Sequence, residues 1–203
     1  MNIIIIDYNM GNVHSVQNAI KFIGHESALS SLPEDILAAD IVILPGVGSF
    51  GNGMAALNKE GLIDPIKAYI QTGKPFLGIC LGMQLLMDKS YEMGEYEGLG
   101  IVPGEVLFFS PKDPNMKVPH MGWNQIKKIK KDLLFSDISD EENVYFVHSY
   151  YVKPENNAVA LAKTCYSIEF CSILRQDNVY GMQFHPEKSQ KVGLQMLRNF
   201  ISY

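Results

Sequence analysis

Residues 3–6 are four consecutive isoleucines, with no polar residue alternating among them. A strand buried on both faces reads this way, whereas a strand with one wet face alternates apolar and polar side chains. The pattern recurs at Ile41-Val42-Ile43-Leu44 and at Phe76-Leu77-Gly78-Ile79. After the first run, Asn12 is placed to cap a helix carrying Val13, Val16, Ile20 and Ile23 on one face and ending at Gly24. Another helix is expected from Leu62 to Thr72, and a further one after Cys80. Doubly buried strands alternating with helices predict an α/β fold of three layers: a doubly wound, largely parallel central sheet with helices on both faces. Ligands of such sheets bind at the carboxyl ends of the strands. Asp7, the loop Pro45-Gly46-Val47-Gly48 and Cys80 are therefore expected on one rim.

The second half of the chain has a different rhythm. Strand-like runs fall at 102–108, 124–129, 144–152, 158–165, 170–175 and 179–184, joined by short turns such as Gln176-Asp177-Asn178. They predict antiparallel hairpins that extend the sheet. A closing helix is expected from Ser189, with Val192, Met196, Leu197, Phe200 and Ile201 on its apolar face. No repeat or long linker divides the chain, and 203 residues that are 47% hydrophobic suit one domain over 1–203. The net charge is −5, and the one tight basic cluster, Lys127-Lys128-Ile129-Lys130-Lys131, has no interleaved aromatics, which argues against nucleic-acid binding. The 3 cysteines are odd in number and lack metal-ligand spacing, so neither a disulfide framework nor a metal site is expected. No apolar stretch reaches membrane-spanning length, and the N-terminus begins directly with a strand, so a soluble, cytoplasmic protein is expected.

The segment Gly78-Ile79-Cys80-Leu81-Gly82-Met83-Gln84 carries the chemistry. An apolar run ending in Gly-x-Cys-x-Gly before helix-forming residues has the form of a nucleophile elbow, in which the chain leaves a strand, turns sharply and enters a helix. The small residues let strand and helix approach, and the turn aims the helix N-terminus at the sulfur, which favours negative charge there. Read alone, Cys80 is more often a small buried hydrophobe, the commoner fate of a free cysteine. A cysteine nucleophile needs a base, and the base needs an orienting partner. His185-Pro186-Glu187 follows the strand-like run 179–184 directly, and residues i and i+2 of an extended segment point the same way, so Glu187 is expected to hold His185. The plainer reading is a surface His-x-Glu closing a strand. The glycines around Val47 could expose backbone N–H groups to an oxyanion, or simply make a tight turn.

The order Pro-Gly-x-Gly, Gly-x-Cys-x-Gly-x-Gln, His-Pro-Glu resembles the class I (triad) glutamine amidotransferases over essentially the whole chain. Within them, Pro45-Gly46-Val47-Gly48, Pro119-His120-Met121-Gly122-Trp123-Asn124 and Phe146-Val147-His148-Ser149-Tyr150 are similar to the glutaminase subunits of imidazole glycerol phosphate synthases. The resemblance implies a Cys80, His185, Glu187 triad that hydrolyses glutamine to glutamate and ammonia in histidine biosynthesis. It implies oxyanion donors from Val47, Gly48 and Leu81, and glutamine contacts from Gly46, Gly48, Gln84, Ser149 and Tyr150. It also implies a (β/α)8-barrel cyclase partner forming a heterodimer, met by Asn12, Met121, Trp123, Tyr145 and Lys188, with no cofactor. Trp123 is expected in a segment between strands, projecting toward that partner; the alternative is a core tryptophan. Three rival functions stay open: a glutaminase feeding another synthase, a silent binding module on the same fold, and a cysteine peptidase, for which no Asn or Asp partner motif is evident.

Overall fold

The computed structural model describes residues 1–111 and 116–202. The first half alternates strands and helices, with three elements, β2, α2 and α3, that the sequence reading did not place: β1 (Ile3–Ile6), α1 (Val13–Phe22), β2 (Ala28–Ser30), α2 (Pro33–Ala38), β3 (Ile41–Gly46), α3 (Phe50–Lys59), α4 (Ile63–Gln71), β4 (Phe76–Cys80) and α5 (Leu81–Leu85). The short strands β5 (Lys89–Ser90) and β6 (Tyr96–Glu97) follow, then β7 (Gly104–Phe108), β8 (His120–Lys128), β9 (Glu142–His148), β10 (Tyr150–Pro154), β11 (Ala160–Tyr166), β12 (Ile168–Gln176), β13 (Val179–Met182) and α6 (Gln190–Ile201). Among the described residues, nine strands form one sheet in the order β2-β1-β3-β4-β13-β12-β11-β8-β9. It is parallel from β2 through β13 and antiparallel from there on.

The isoleucine run divides by parity, as a period of two requires. Ile3 and Ile5 pack with α1 and with Met196, Leu197 and Phe200 of α6 on one face. Ile4 and Ile6 pack with Ile36, Phe50, Leu57 and Ile66 from α2, α3 and α4 on the other. All four are buried, each contributing about 1.5–3 kcal/mol. These are the three layers read from the sequence. Helix α1 is capped as expected, with the Asn12 side chain accepting from the Ser15 N–H at 3.3 Å and Gly24 at φ 94° beyond its end.

Several features differ from the sequence reading. Strand β8 starts at His120 rather than Asn124, so Trp123 lies within a strand and not between strands. The run 144–152 is two strands: the chain breaks at Ser149, and β10 leaves the large sheet to pair with β7 in a second sheet of order β10-β7-β5-β6. Helix α3 went unread because its first turn, Phe50-Gly51-Asn52-Gly53, is poor in helix formers. Those glycines answer to packing: a Cβ at Gly51 would stand 2.8 Å from the Tyr96 ring, and one at Gly53 would stand 3.2 Å from Leu81. Finally, α6 buries Gly193 as well as the expected apolar stripe, while Val192 is only partly covered.

Candidate active site

Cys80 closes β4 and precedes α5 with φ 54° and ψ −110°, a strained state for a residue with a side chain. The glycines around it have a steric reason. A Cβ on Gly82 would lie 1.8 Å from the Leu44 carbonyl oxygen, and one on Gly78 would lie 2.7 Å from the Gly82 carbonyl oxygen. Strand, elbow and helix thus touch backbone to backbone, and only hydrogen fits between them. Gly46 of β3 is equally constrained: its Cβ would meet the Tyr8 hydroxyl at 2.5 Å. That hydroxyl is buried with no hydrogen-bond partner, and burial together with nearby Cys80 pushes its pKa up.

β13 lies beside β4, and the chain continuing from it brings His185 to the same rim. His185 is tied to β9 by its N–H, which donates to the Tyr145 carbonyl at 3.0 Å. Ser189 completes the clamp, its hydroxyl donating to the His185 carbonyl (2.7 Å) and accepting from the Tyr145 N–H (2.9 Å). Nδ1 of His185 and Oε1 of Glu187 are 2.8 Å apart. The bond is the expected one, but its origin differs from the expected extended segment. Residues Pro186–Lys188 form a single 3-10 turn, closed by the Lys188 N–H on the His185 carbonyl at 3.0 Å, and this turn carries the carboxylate back to the ring. Burial alone would lower the His185 pKa; the Cys80 sulfur and the Glu187 carboxylate outweigh it and raise it to about 10. Nε2 closes no aligned hydrogen bond, so the sulfur acts on the ring through proximity. A thiol, an imidazole and an orienting carboxylate in this order have the arrangement that a nucleophile, its base and a positioner require.

The triad opens into a cavity of about 360 Å³, within the range of small-molecule sites. Val47, Gly48, Cys80, Leu81, Gln84 and His185 line one part of it, and Ser149 and Tyr150 another. A family profile described as glutamine amidotransferase class-I matches residues 4–202. The chain belongs to the class-I glutamine amidotransferases. It is similar to the imidazole glycerol phosphate synthase subunit HisH of Geobacter metallireducens, with 48% identity covering 98% of this chain and 96% of that one. The subunit of the same name from Aquifex aeolicus is 47% identical, over 98% of this chain and 96% of that one. Two solved structures share the fold at low identity. A crystal structure of a glutamine amidotransferase superimposes with TM-score 0.76 at 17% identity, covering 98% and 97% of the two chains. A chain of the PurLQS structure from Thermotoga maritima does so with TM-score 0.74 at 18%, covering 100% and 98%.

In this glutamine amidotransferase the remaining residues singled out from sequence fall into three places. Gly46, expected against the glutamine, is not among the residues lining the cavity, and its contribution is the close approach to Tyr8. Leu81 is the first residue of α5, whose opening N–H groups have no partner one turn back. The Val47 N–H donates to the Met10 carbonyl at 3.1 Å, so in this arrangement it is not offered to the cavity. Met121 and Trp123 are 62% and 48% exposed, side by side on the outer face of β8. Trp123 meets the Tyr145 ring edge-on at 6.0 Å. Asn12 and Lys188 are exposed. Sequence reasoning missed Glu92, Pro119, Val147 and His148, which also line the cavity. The Glu92 carboxylate accepts from the Phe50 N–H at 2.6 Å and its pKa is raised by burial. Nothing in Tyr91-Glu92-Met93-Gly94-Glu95-Tyr96-Glu97 marks which acid faces inward. Gln183 had a signal that went unused: it stands two residues before His185, just past the end of β13.

Proposed function

We propose that this chain is the glutaminase subunit of an imidazole glycerol phosphate synthase, a single domain over 1–203 acting in the cytoplasm as a heterodimer with a (β/α)8-barrel cyclase. The Cys80, His185, Glu187 geometry carries the glutaminase half of the reading, and the near-full-length HisH similarity carries the pathway. Cys80 gives its thiol proton to His185 as its sulfur attacks the side-chain amide carbon of glutamine, and the carbonyl electrons move onto oxygen. The Leu81 N–H at the start of α5 faces that charge, joined by the Val47 N–H once Met10 releases it. The oxyanion collapses, the C–N bond breaks, and His185 gives its proton to the departing nitrogen, which leaves as ammonia. His185 then takes a proton from water, whose oxygen attacks the thioester, and glutamate leaves as the sulfur is freed. Gln84, Gly48, Ser149 and Tyr150 hold the substrate's backbone groups, and the Glu92 carboxylate suits its ammonium group. The ammonia passes to the cyclase, which makes imidazole glycerol phosphate and aminoimidazole carboxamide ribotide. Met121 and Trp123, with Asn12, Tyr145 and Lys188, form the surface toward that partner.

Glutamate release measured with and without the cyclase tests the reading. Release is expected to rise when the cyclase is present with its own ligand. Cys80→Ala should lower it by about three orders of magnitude or more, while Glu187→Gln should cost less than His185→Ala. Release that ignores the cyclase would overturn the assignment of partner. Release undiminished in Cys80→Ala would overturn the nucleophile.

A further inference from the structure

Behind the cavity wall runs a chain of polar groups that the triad does not use. It begins on β8, where Nδ2 of Asn124 donates to the Cys165 carbonyl (3.0 Å) and lies 3.1 Å from Nε2 of His120. Nδ1 of His120 is 2.9 Å from Nε2 of His148, its register partner across β8 and β9. Nδ1 of His148 is 2.7 Å from the Tyr150 carbonyl oxygen, which also accepts from Nε2 of Gln84 at 3.0 Å. Gln84 Nε2 reaches Oε1 of Gln183 at 3.2 Å, and Gln183 Nε2 points at the Cys80 sulfur from 3.9 Å.

Donor and acceptor roles in this chain are forced from both ends. A carbonyl only accepts, so His148 carries its proton on Nδ1, facing Tyr150, and a neutral ring then has a bare Nε2. At the other end, the Cys165 carbonyl fixes Asn124 Nδ2 as a donor. His120 therefore has a bare Nε2 and carries its proton on Nδ1. The two deductions are independent, and they meet in agreement at the His120–His148 contact: one ring donates, the other accepts. A second proton on either ring would set two donors face to face. Burial acts in the same direction, lowering His120 to about 4 and, with His120 and His185 as neighbours, His148 to about 3. Both Gln84 N–H bonds are committed to Tyr150 and Gln183, so the polar atom Gln84 can still offer a ligand is its acceptor, Oε1.

We propose that His120, which does not itself line the cavity, is a positioning residue of the glutamine site. Through His148 it holds the Tyr150 carbonyl, and through that carbonyl the Gln84 amide, in one donor–acceptor arrangement with an acceptor turned to the substrate. The functional half of this statement rests on the glutaminase reading; the tautomer half does not. Because Gln84 and Tyr150 contact parts of the substrate that do not react, their disorder should weaken binding of ground and transition states alike.

The test pairs ring ¹⁵N NMR with kinetics of the assembled enzyme. In the wild-type chain at pH 7, both rings are expected neutral with the proton on Nδ1. His120→Phe keeps a ring for the stacks on Tyr166 (4.0 Å between centroids) and Phe146 (4.7 Å) while removing both nitrogens. It should release His148 from its single tautomer and raise KM for glutamine about three- to ten-fold, the worth of one buried hydrogen bond, with kcat changed less than about two-fold. His120→Asn, which keeps a donor at the δ position, should restore both. A wild-type His148 protonated on Nε2 would overturn the proposal without any substitution or activity. A lowered melting temperature with unchanged KM in His120→Phe would reduce His120 to a packing residue.

Discussion

The histidines around the cavity are pulled in opposite directions, and stability should record it. His185 is raised to about 10, so its contribution is whole below the unfolded value near 6.5 and is lost as pH climbs toward 10. His120 and His148 are lowered to about 4 and about 3. The unfolded chain therefore takes up protons that the native one refuses, and stability falls as pH drops below about 6.5. Each of these two contributes a slope of about 1.4 kcal/mol per pH unit at the steepest. Urea midpoints between pH 4.5 and 9 should peak near pH 6.5, and His120→Phe should flatten the acid limb. A midpoint that climbs steadily to pH 9 would contradict this balance. The triad was legible at this scale because an elbow and a His-Pro-Glu corner are local patterns. Glu92 and the His120–His148 pair were not, since their roles arise only where distant segments meet.

Between elements, the narrowest contact is that of α5 on β3. Gly82→Ala would drive a methyl into the Leu44 carbonyl, 1.8 Å away, and no rotamer can relieve a clash with backbone. A loss of about 3 kcal/mol or more is expected. Gly61→Ala is the control: φ is 67° with no atom within 4 Å of the added carbon, so only backbone strain of about 1 kcal/mol is added. Chemical denaturation of both variants separates the effects, and equal losses would dismiss the close-packing explanation. The parallel strands β1, β3 and β4 were readable because burial on both faces leaves an unbroken apolar run, whereas the short, half-exposed β2 was not. The split at Ser149 was not, because β9 and β10 are both apolar and differ only in which sheet they join. The two-residue strands β5 and β6 carry too few side chains to show any period.

At the scale of the molecule, β8 has a wet side bearing Met121 and Trp123 and a dry side bearing His120. Trp123→Ala should weaken assembly with the proposed cyclase partner by about 2 kcal/mol or more and leave the melting temperature of the isolated chain nearly unchanged, as 48% exposure implies. A titration with the partner and a melting curve decide it; an unchanged affinity with a sharply lowered melting temperature would make Trp123 a core residue. The sheet order has a further consequence. β13 lies between β4 and β12, parallel to one and antiparallel to the other, and thereby sews the early half of the chain to the late half. On the ribosome, β1 through β4 emerge first and can pair among themselves, but β4 then presents an open edge until β13, the last strand, has been made. Cys80 stands at the tip of that edge, while its base arrives only with the closing stitch. A nascent or truncated chain would hold a cysteine but no glutaminase, so hydrolysis of glutamine is deferred until the protein is whole.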